Sequence, residues 1–288
     1  MPFYIFAWIA SLTYGFYAVT TKLIGKYQLK NVAQFSFFSL LFSGLVITVI
    51  SLINGAGVAI SWTFIILAAI FLALGNTLYI AALKNLDVSV MAPLFNIRVV
   101  ITVFLGCVFL GETLTVNNML LVGFIVFAGF FATMDEKFSI KSFFAKNVAV
   151  GLLFMLVLSI RSVFINRAIA QTDYWTASMW INLLAIVPAF IFLYPRFRKD
   201  LSKSKPADYL GVVILSFLGG LGDLAANKAF EGNVGISSVI ISLPISMVLA
   251  FVFAIWKPNW LEKHPLKVYV IRFTAAAVMI WGALQLSS

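Results

Sequence analysis

Apolar stretches separated by short polar breaks follow one another along the whole chain. The apolar stretches cover approximately residues 3–21, 32–53, 60–83, 88–109, 114–133, 147–169, 174–194, 209–229, 234–256 and 267–286. At about 1.5 Å of rise per residue, each stretch is long enough to cross the hydrocarbon core of a bilayer as an α-helix. Helices suit this environment because they satisfy every backbone polar group internally. The pattern therefore predicts ten transmembrane helices.

The composition agrees with this pattern. The 288 residues are 62% hydrophobic and 10% charged, whereas soluble domains are roughly half apolar and about a quarter charged. A chain of this kind has too little polar surface to cover a water-soluble particle. No strictly alternating apolar and polar runs indicate a β-barrel. We therefore expect an all-α integral membrane protein.

Residues that would support enzymatic chemistry are scarce. Cys107 is the single cysteine and His264, in a charged turn, is the single histidine, so a disulfide framework, a cysteine-based metal site and a histidine base lack their parts. No Gly-rich loop ends in Gly-Lys-Ser/Thr, so ATP-driven pumping by this chain is unsupported. We expect no cofactor, no metal and no enzyme activity. A membrane-embedded enzyme and a non-transporting receptor or assembly subunit remain as alternatives.

The basic residues lie mainly in the loops, and the formal net charge is +10. Anionic lipid headgroups and the positive-inside rule explain such loops, so we expect membrane lipid and not nucleic acid as a partner. One side of the membrane holds most of this charge, including the stretch 195–208, while the other has little beyond Arg167 and Lys228. The rule predicts a multi-pass protein of the cell (inner) membrane with both termini outside. A monomer is compatible with the sequence.

The second half of the chain resembles a faint copy of the first. Leu74-Gly75-Asn76 precedes Leu221-Gly222-Asp223 by 147 residues, and Lys22 precedes Arg167 by 145. Five helices per half is an odd number, so the two copies must cross the membrane in opposite senses. We predict two inverted five-helix repeats, residues 1–140 and 141–288, related by a pseudo-two-fold axis in the membrane plane.

Several short motifs carry a family resemblance. An Ala-Leu-Lys-Asn-Leu turn at 82–86 leads into a Val-Ser-Val-Met-Ala-Pro helix, and Phe-Leu-Gly-Glu-Thr-Leu at 109–114 precedes a Gly-rich helix. With the five-plus-five plan, these motifs resemble the EamA-type transporters of the drug/metabolite transporter superfamily. The sequence departs from the pattern at Ile97, where a proline is expected, and at the displaced Glu262. The resemblance implies export of metabolites or amino acids, with import and antiport left open.

Three charged residues fall near the middle of predicted membrane helices: Arg98, Arg161 and Asp223. A charge at mid-bilayer costs about 2.5–3.5 kcal/mol on insertion scales, so such residues face a partner, a cavity or a pathway. Met91, Phe95, Arg98 and Thr102 share one helical stripe, which we expect to face inward. The remaining candidates for substrate binding are polar or aromatic residues at related positions: Tyr14, Asn76, Tyr79, Asn227 and Ser242.

Two interpretations of the three charges remain open. In the first, the two halves enclose a midplane cavity where the arginines bind a carboxylate or phosphate of a small amino acid or organic acid. In the second, Asp223 pairs with Arg98 or Arg161 as a structural bridge. The first predicts a secondary transporter that works by alternating access and is driven by an ion gradient or by exchange. Asp223 is then the candidate for proton coupling, and Glu112 is expected to cap a helix N-terminus.

Overall fold

The computed structural model describes residues 1–85, 88–132, 146–256 and 266–287, and the regular structure within these ranges is helical. Short π-helical (Gly106–Leu110) and 3-10 (Leu201–Lys203) turns accompany the α-helices. The α-helices are α1 (Phe3–Tyr27), α2 (Val32–Ile53), α3 (Thr63–Asn85), α4 (Val88–Leu105), α5 (Val116–Ala132), α6 (Lys146–Gln171), α7 (Tyr174–Phe197), α8 (Pro206–Gly232), α9 (Val234–Ile241), α10 (Ile245–Trp256) and α11 (Leu266–Leu286). The predicted all-α class is confirmed for the described residues.

Seven helical segments within the described residues are long and apolar enough to cross a membrane. They are α1, α2, α3, α6, α7, α8 and the segment Val234–Phe253, which joins α9 to most of α10. Shorter apolar helices cover Leu94–Leu110, Val116–Gly129 and Phe273–Leu286. Large apolar side chains on the outer faces, such as Phe104, Leu120 and Phe192, are mostly exposed. An outer surface of this kind suits contact with lipid rather than water.

Polar residues at the breaks between apolar stretches begin several of the helices. Asn31 accepts hydrogen bonds from the backbone N–H groups at the start of α2, Asp173 does so for α7, and Asn233 does so for α9. Each side chain satisfies donors that have no partner within the first turn of a helix. The turn after α4 ends at Gly111, whose φ of +70° is the left-handed conformation that glycine adopts without strain.

The predicted ninth span is two helices in the structure. Residues 234–256 form α9 and α10, which are separated by Ser242, Leu243 and Pro244. Proline has no backbone N–H and its ring clashes with the carbonyl four residues earlier, so it favours a kink or a break at this position. Ser238, Ser242 and Ser246 follow one another at four-residue spacing, but because of this break they do not lie on one continuous helix.

The helices pack in pairs that join the first part of the chain to the second. Helix α1 packs against α8, α2 against α7, α3 against α6, α4 against α6 and α9, and α5 against α11. Small residues allow the closest approach: a Cβ at Gly219 of α8 would lie 2.7 Å from the Cε2 atom of Tyr17, and one at Gly222 would lie 3.0 Å from the ring of Tyr14. These glycines permit close packing of α8 against the aromatic face of α1.

The helix bundle has two ends, which we name here. The terminal end is the one where α1 begins and α11 ends, and there Trp8 Nε1 donates to Ser287 Oγ at 3.4 Å. The lysine end is the one where α1 and α3 finish, and there Lys84 Nζ donates to the carbonyl of Lys30 at 2.9 Å. Which end faces outward stays a prediction. Residues 133–145 and 257–265, with Glu262 and His264, lie outside the described residues.

Candidate functional site

A cavity of about 150 Å³ lies in the middle of the bundle. Its walls come from α1, α2, α3, α4, α6, α7 and α8 and from the break between α9 and α10. Eight of the nine predicted site residues line it: Tyr14, Asn76, Tyr79, Phe95, Arg98, Arg161, Asp223 and Ser242. Residues far apart in the chain therefore converge on one central space.

The first group of charges in the cavity joins α1, α6 and α8. Arg161 Nη2 lies 3.5 Å from Asp223 Oδ1, and the two side chains are 8% and 15% exposed. The hydroxyl of Tyr14 donates to the same Asp223 oxygen at 2.5 Å. The Arg161 contact is an ion pair without hydrogen-bond geometry, because Nε and Nη2 of Arg161 are buried and have no hydrogen-bond partner. The structural bridge that was one of the two interpretations is therefore present, and it uses Arg161 rather than Arg98.

Arg98 is the second cationic group in the cavity, and it has no carboxylate partner. Among the described residues its side chain forms no ion pair. The residue is 2% exposed, its Nη1 donates weakly to Ser242 Oγ at 3.4 Å, and its Nε has no hydrogen-bond partner. A buried polar group without partners costs free energy, and a buried charge costs more. The donors of Arg98 are therefore suited to an anion that enters the cavity.

Helix geometry explains why Arg98 faces inward. Phe95, Arg98 and Thr102 follow one another at three- and four-residue spacing, so they share one side of α4. Thr102 is fully buried and bonds Ser159 of α6 at 2.8 Å. Ser242 reaches Arg98 because α9 ends at Ile241 and the chain turns before α10. The side chain of Met91, predicted to lie on the same stripe, is outside the described residues.

The side chain of Asn76 forms a polar part of the cavity wall next to α2. Asn76 Nδ2 donates to Ser36 Oγ and Ser39 Oγ, both at 3.0 Å, and its Oδ1 accepts from the hydroxyl of Tyr17 at 3.5 Å. Asn76 occupies the position that the sequence repeat matches to Asp223. Its amide is satisfied by neighbouring helices, so it contributes a neutral polar surface.

Aromatic rings form the wall of the cavity towards the lysine end. Tyr17 stacks on Tyr79 with ring centres 5.9 Å apart, and Tyr79 contacts Phe154 at 5.2 Å. Phe95 meets Phe154 edge to face at 6.3 Å. This aromatic layer is apolar and close to the charged groups, so it can pack the uncharged part of a solute.

Asn227 is not brought to the cavity, contrary to the sequence-based expectation. Its side chain is 1% exposed and donates to Ser178 Oγ of α7 at 3.2 Å. It follows Asp223 by four residues, which turns it about 40° around the helix axis. That rotation is enough to direct it towards α7. The next residue, Lys228, pairs with Glu231 at 2.6 Å near the terminal end.

Some lining residues were not identified from the sequence. Ser11, Ser39, Ser43, Phe154 and Asn182 also contribute to the cavity. Ser36, Ser39 and Ser43 on α2 recur at three- and four-residue spacing within an apolar stretch, which is a detectable signal for an inward polar stripe. Ser11 and Asn182 are isolated polar residues in apolar helices, and no sequence pattern distinguishes them from residues in helix packing.

Hydrogen bonds join the two parts of the chain at the terminal end. The carboxylate of Glu112 accepts from the backbone N–H groups of Val234 and Gly235, the latter at 2.9 Å. Arg167 donates to the carbonyl of Phe109. The predicted capping role of Glu112 is confirmed, but the capped helix is α9, more than a hundred residues further along the chain. A negative carboxylate at this position also complements the helix dipole.

Comparisons with known proteins agree with this architecture. Residues 1–134 match the EamA-like transporter family, which confirms the resemblance over the first part of the chain and is consistent with an EamA-type drug/metabolite transporter. A protein of known crystal structure has the same fold, with a TM-score of 0.71 at 16% sequence identity over 97% of this chain and 94% of that one. A comparison with curated proteins gives no significant match.

The helices and the family match together define the class. The chain is a multi-pass membrane protein. The EamA family, which the first part of this chain matches, consists of membrane transporters of small solutes rather than enzymes.

Proposed function

We propose that this protein is a secondary transporter that binds a small anionic metabolite in the central cavity and moves it by alternating access. An amino acid or a small organic acid fits best. The observation that carries the proposal is Arg98, which is buried, lines the cavity and has no carboxylate partner among the described residues. With the Arg161–Asp223 pair counted as neutral, the three groups leave one positive charge for a solute.

The donors of both arginines support an anionic solute. Nε of Arg98 and Nε and Nη2 of Arg161 are buried and lack hydrogen-bond partners. Guanidinium groups bind carboxylates and phosphates through two parallel hydrogen bonds, so an anion between them would satisfy several donors at once. An amino acid adds an ammonium group, for which Asp223 offers the negative charge in the cavity.

The helix pairings support a transporter built from two inverted halves, 1–140 and 141–288. If α1 to α5 correspond in order to α6, α7, α8, α9–α10 and α11, exchange of the halves converts the α1–α8 pair into α6–α3. The same exchange converts α3–α7 into α8–α2, while α2–α7 and α5–α11 map onto themselves. All of these pairs are in contact. Rocking of two such halves around a central site is the usual basis of alternating access.

Asp223 is the candidate coupling group. Its partners are Arg161 and Tyr14. Proton binding to this carboxylate would remove the negative charge beside Arg161 and raise the net charge of the three groups from one to two. Anion binding and proton binding would then strengthen each other, as thermodynamic linkage requires. We expect the Asp223→Asn variant to bind anion with little dependence on pH. Transport by this variant with the wild-type pH profile would rule out coupling through Asp223.

Ligand-dependent thermal stability is the first test. The purified protein is screened against amino acids, organic acids, phosphorylated sugars and cationic amines, because a ligand that binds only the folded state raises the unfolding temperature. We expect stabilisation by carboxylates or phosphates that Arg98→Met abolishes and Arg98→Lys partly retains. Arg196→Met, which removes an exposed arginine outside the cavity, is the matched control.

A stabilising solute is then tested for flux in proteoliposomes. Uptake or exchange by the wild type, and its loss in Arg98→Met, would support export or exchange of that solute through the central cavity. Stabilisation by cationic amines alone, unchanged in Arg98→Met, would contradict the proposal.

A further inference from the structure

The break between α9 and α10 forms part of the wall of the central cavity. Ser242, Leu243 and Pro244 separate the two helices, and all three line the cavity. Ile241, the last residue of α9, and Ser246, in the first turn of α10, line it as well. The C-terminus of one helix and the N-terminus of the next therefore meet at the centre of the bundle.

Two hydrogen-bond donors at the start of α10 are without a partner. The N–H groups of Met247 and Val248 donate to the carbonyl of Pro244 at 3.1 and 3.3 Å, and that of Ile245 bonds within the break. Backbone donors in the first turn of a helix have no partner further along it. The N–H of Ser246 and its hydroxyl form no hydrogen bond with any described residue. Ser246 therefore offers two donors at the cavity wall.

The two helix ends at the break carry opposite partial charges. The C-terminus of α9 carries roughly half a negative charge, and the N-terminus of α10 carries roughly half a positive one. Their sum is near zero, so the break as a whole does not neutralise the full charge of Arg98, whose Nη1 lies 3.4 Å from Ser242 Oγ.

Arg98 is an independent indication that an anion binds beside the break. It lines the cavity, is 2% exposed, and its Nε has no hydrogen-bond partner. Among the described residues it also has no carboxylate partner. Its helix, α4, packs against both α9 and α10. A buried guanidinium in this state costs free energy, and an anion shared with the start of α10 would relieve that cost.

Helix α1 fixes the position of the α10 N-terminus. A Cβ at Gly15 would lie 2.7 Å from Cγ2 of Ile245, the first residue of α10. Gly15 lines the cavity directly after Tyr14, which bonds Asp223. The missing side chain of Gly15 lets α10 begin against the cavity rather than behind a layer of side chains.

We infer that Ser246 and Arg98 together form the subsite for the charged group of the solute, and that the solute is a monocarboxylate with an apolar body. This inference rests on the proposed function and deepens it. One carboxylate oxygen accepts from the guanidinium of Arg98, and the other accepts from the N–H and the hydroxyl of Ser246. A single unpaired cation suits an anion of one charge. Phe95, three residues before Arg98 on α4, belongs to the aromatic layer, where the apolar body of the solute packs.

A carboxylate placed in the protein tests the subsite without a solute. Ser246→Asp puts an acidic residue in the first turn of α10, where it also complements the helix dipole. We expect this variant to raise the unfolding temperature of the detergent-purified protein by about 2–4 °C, because the new carboxylate binds Arg98. In the Arg98→Met background the same substitution should lower the unfolding temperature, because the carboxylate is then buried without a cation.

The four proteins of this comparison form a double-mutant cycle, which isolates the interaction between the two positions. Ser43→Asp is the matched control, since Ser43 lines the cavity from α2 rather than from the break. Its effect should have the same sign with and without Arg98. Equal shifts for Ser246→Asp in both backgrounds would overturn the inference.

Matched solutes test the same subsite with Ser246→Ala, which keeps the backbone N–H and removes the hydroxyl. The probes are 4-methylpentanoate, leucine and leucinamide, which share an apolar body, and only leucinamide lacks the carboxylate. We expect the two carboxylates to raise the unfolding temperature of the wild type and leucinamide not to do so. Ser246→Ala should weaken the apparent affinity for both carboxylates about tenfold, as loss of a hydrogen bond to a charged group does. Equal stabilisation by leucine and leucinamide would contradict the inference.

The two sets of measurements separate this inference from the proposed function. Carboxylate binding that Arg98→Met abolishes, in a protein without interaction between positions 98 and 246, would refute the subsite and leave the proposed function standing. The expected interaction in the double-mutant cycle, in a protein that no carboxylate stabilises, would support the geometry of the subsite and refute the transport of an anion.

Discussion

The two buried arginines should respond in opposite ways to the same substitution. Methionine is close to arginine in length and carries no charge. Arg161→Met would leave Asp223 buried with Tyr14 but without its cationic partner. Removal of one partner of a buried ion pair typically costs about 3–5 kcal/mol. Arg98→Met removes a buried charge that has no carboxylate partner among the described residues. It also removes one weak hydrogen bond, to Ser242 at 3.4 Å. Replacement of a whole buried ion pair by apolar groups is often neutral or stabilising, by about 1–4 kcal/mol, and Arg98→Met likewise leaves no unpaired carboxylate behind among the described residues.

The assay is thermal unfolding of the detergent-purified variants without ligand, followed by the same measurement with a stabilising anion. We expect Arg161→Met to unfold at a clearly lower temperature than the wild type, and Arg98→Met to unfold at the same temperature or a higher one. With the anion present, Arg98→Met should gain no stability. A large loss of stability in Arg98→Met without ligand would refute the reasoning, because it would show that Arg98 supports the fold rather than the solute.

Three further predictions concern the packing and the loops. Glu112→Ala should lower the free energy of unfolding by about 1–2 kcal/mol, since it removes the cap of α9; chemical denaturation measures the change. Gly219→Ala should lower the free energy of unfolding by about 1–3 kcal/mol, because the added Cβ would lie 2.7 Å from a tyrosine ring. Gly123→Ala, whose added Cβ would meet open space, should be neutral or stabilising in the same measurement. The hydrogen bond from Asn31 lowers the pKa of the Asp200 carboxyl below its ordinary value of 3.8. The ionised carboxylate therefore stabilises the folded state above pH 3.8, and this stabilisation is lost as the pH falls through the lowered pKa. The unfolding temperature of the wild type should fall over this acidic range, and that of Asp200→Asn should not.

Most of the candidate site was predictable because charges inside a membrane are costly. Arg98, Arg161 and Asp223 stand out in apolar stretches, and the helical period directs Phe95 and Arg98 to one side of α4. The same reasoning failed at Asn227, which follows Asp223 by four residues on α8 but donates a hydrogen bond to Ser178 of α7. A rotation of about 40° between the two positions separates a cavity wall from a helix interface. Sequence spacing cannot resolve that angle without the position of the neighbouring helix.

The capping role of Glu112 illustrates the same limit. The glutamate follows Gly111 at a helix junction, so a nearby helix N-terminus was the natural expectation. The N–H groups it binds belong to Val234 and Gly235 of α9. Long-range partners of this kind depend on how the two parts of the chain pack, which no local pattern encodes.

Local sequence patterns were enough to predict the helical class, the apolar stretches and the buried charges. These are local properties, because a spanning helix satisfies its own backbone and a charged residue in an apolar stretch is visible without knowledge of its neighbours. The pairing of Asp223 with Arg161, which leaves Arg98 without a carboxylate among the described residues, is visible only in the tertiary structure. The physical reason is that charge pairing depends on distances of a few ångströms between different helices, and packing alone sets those distances.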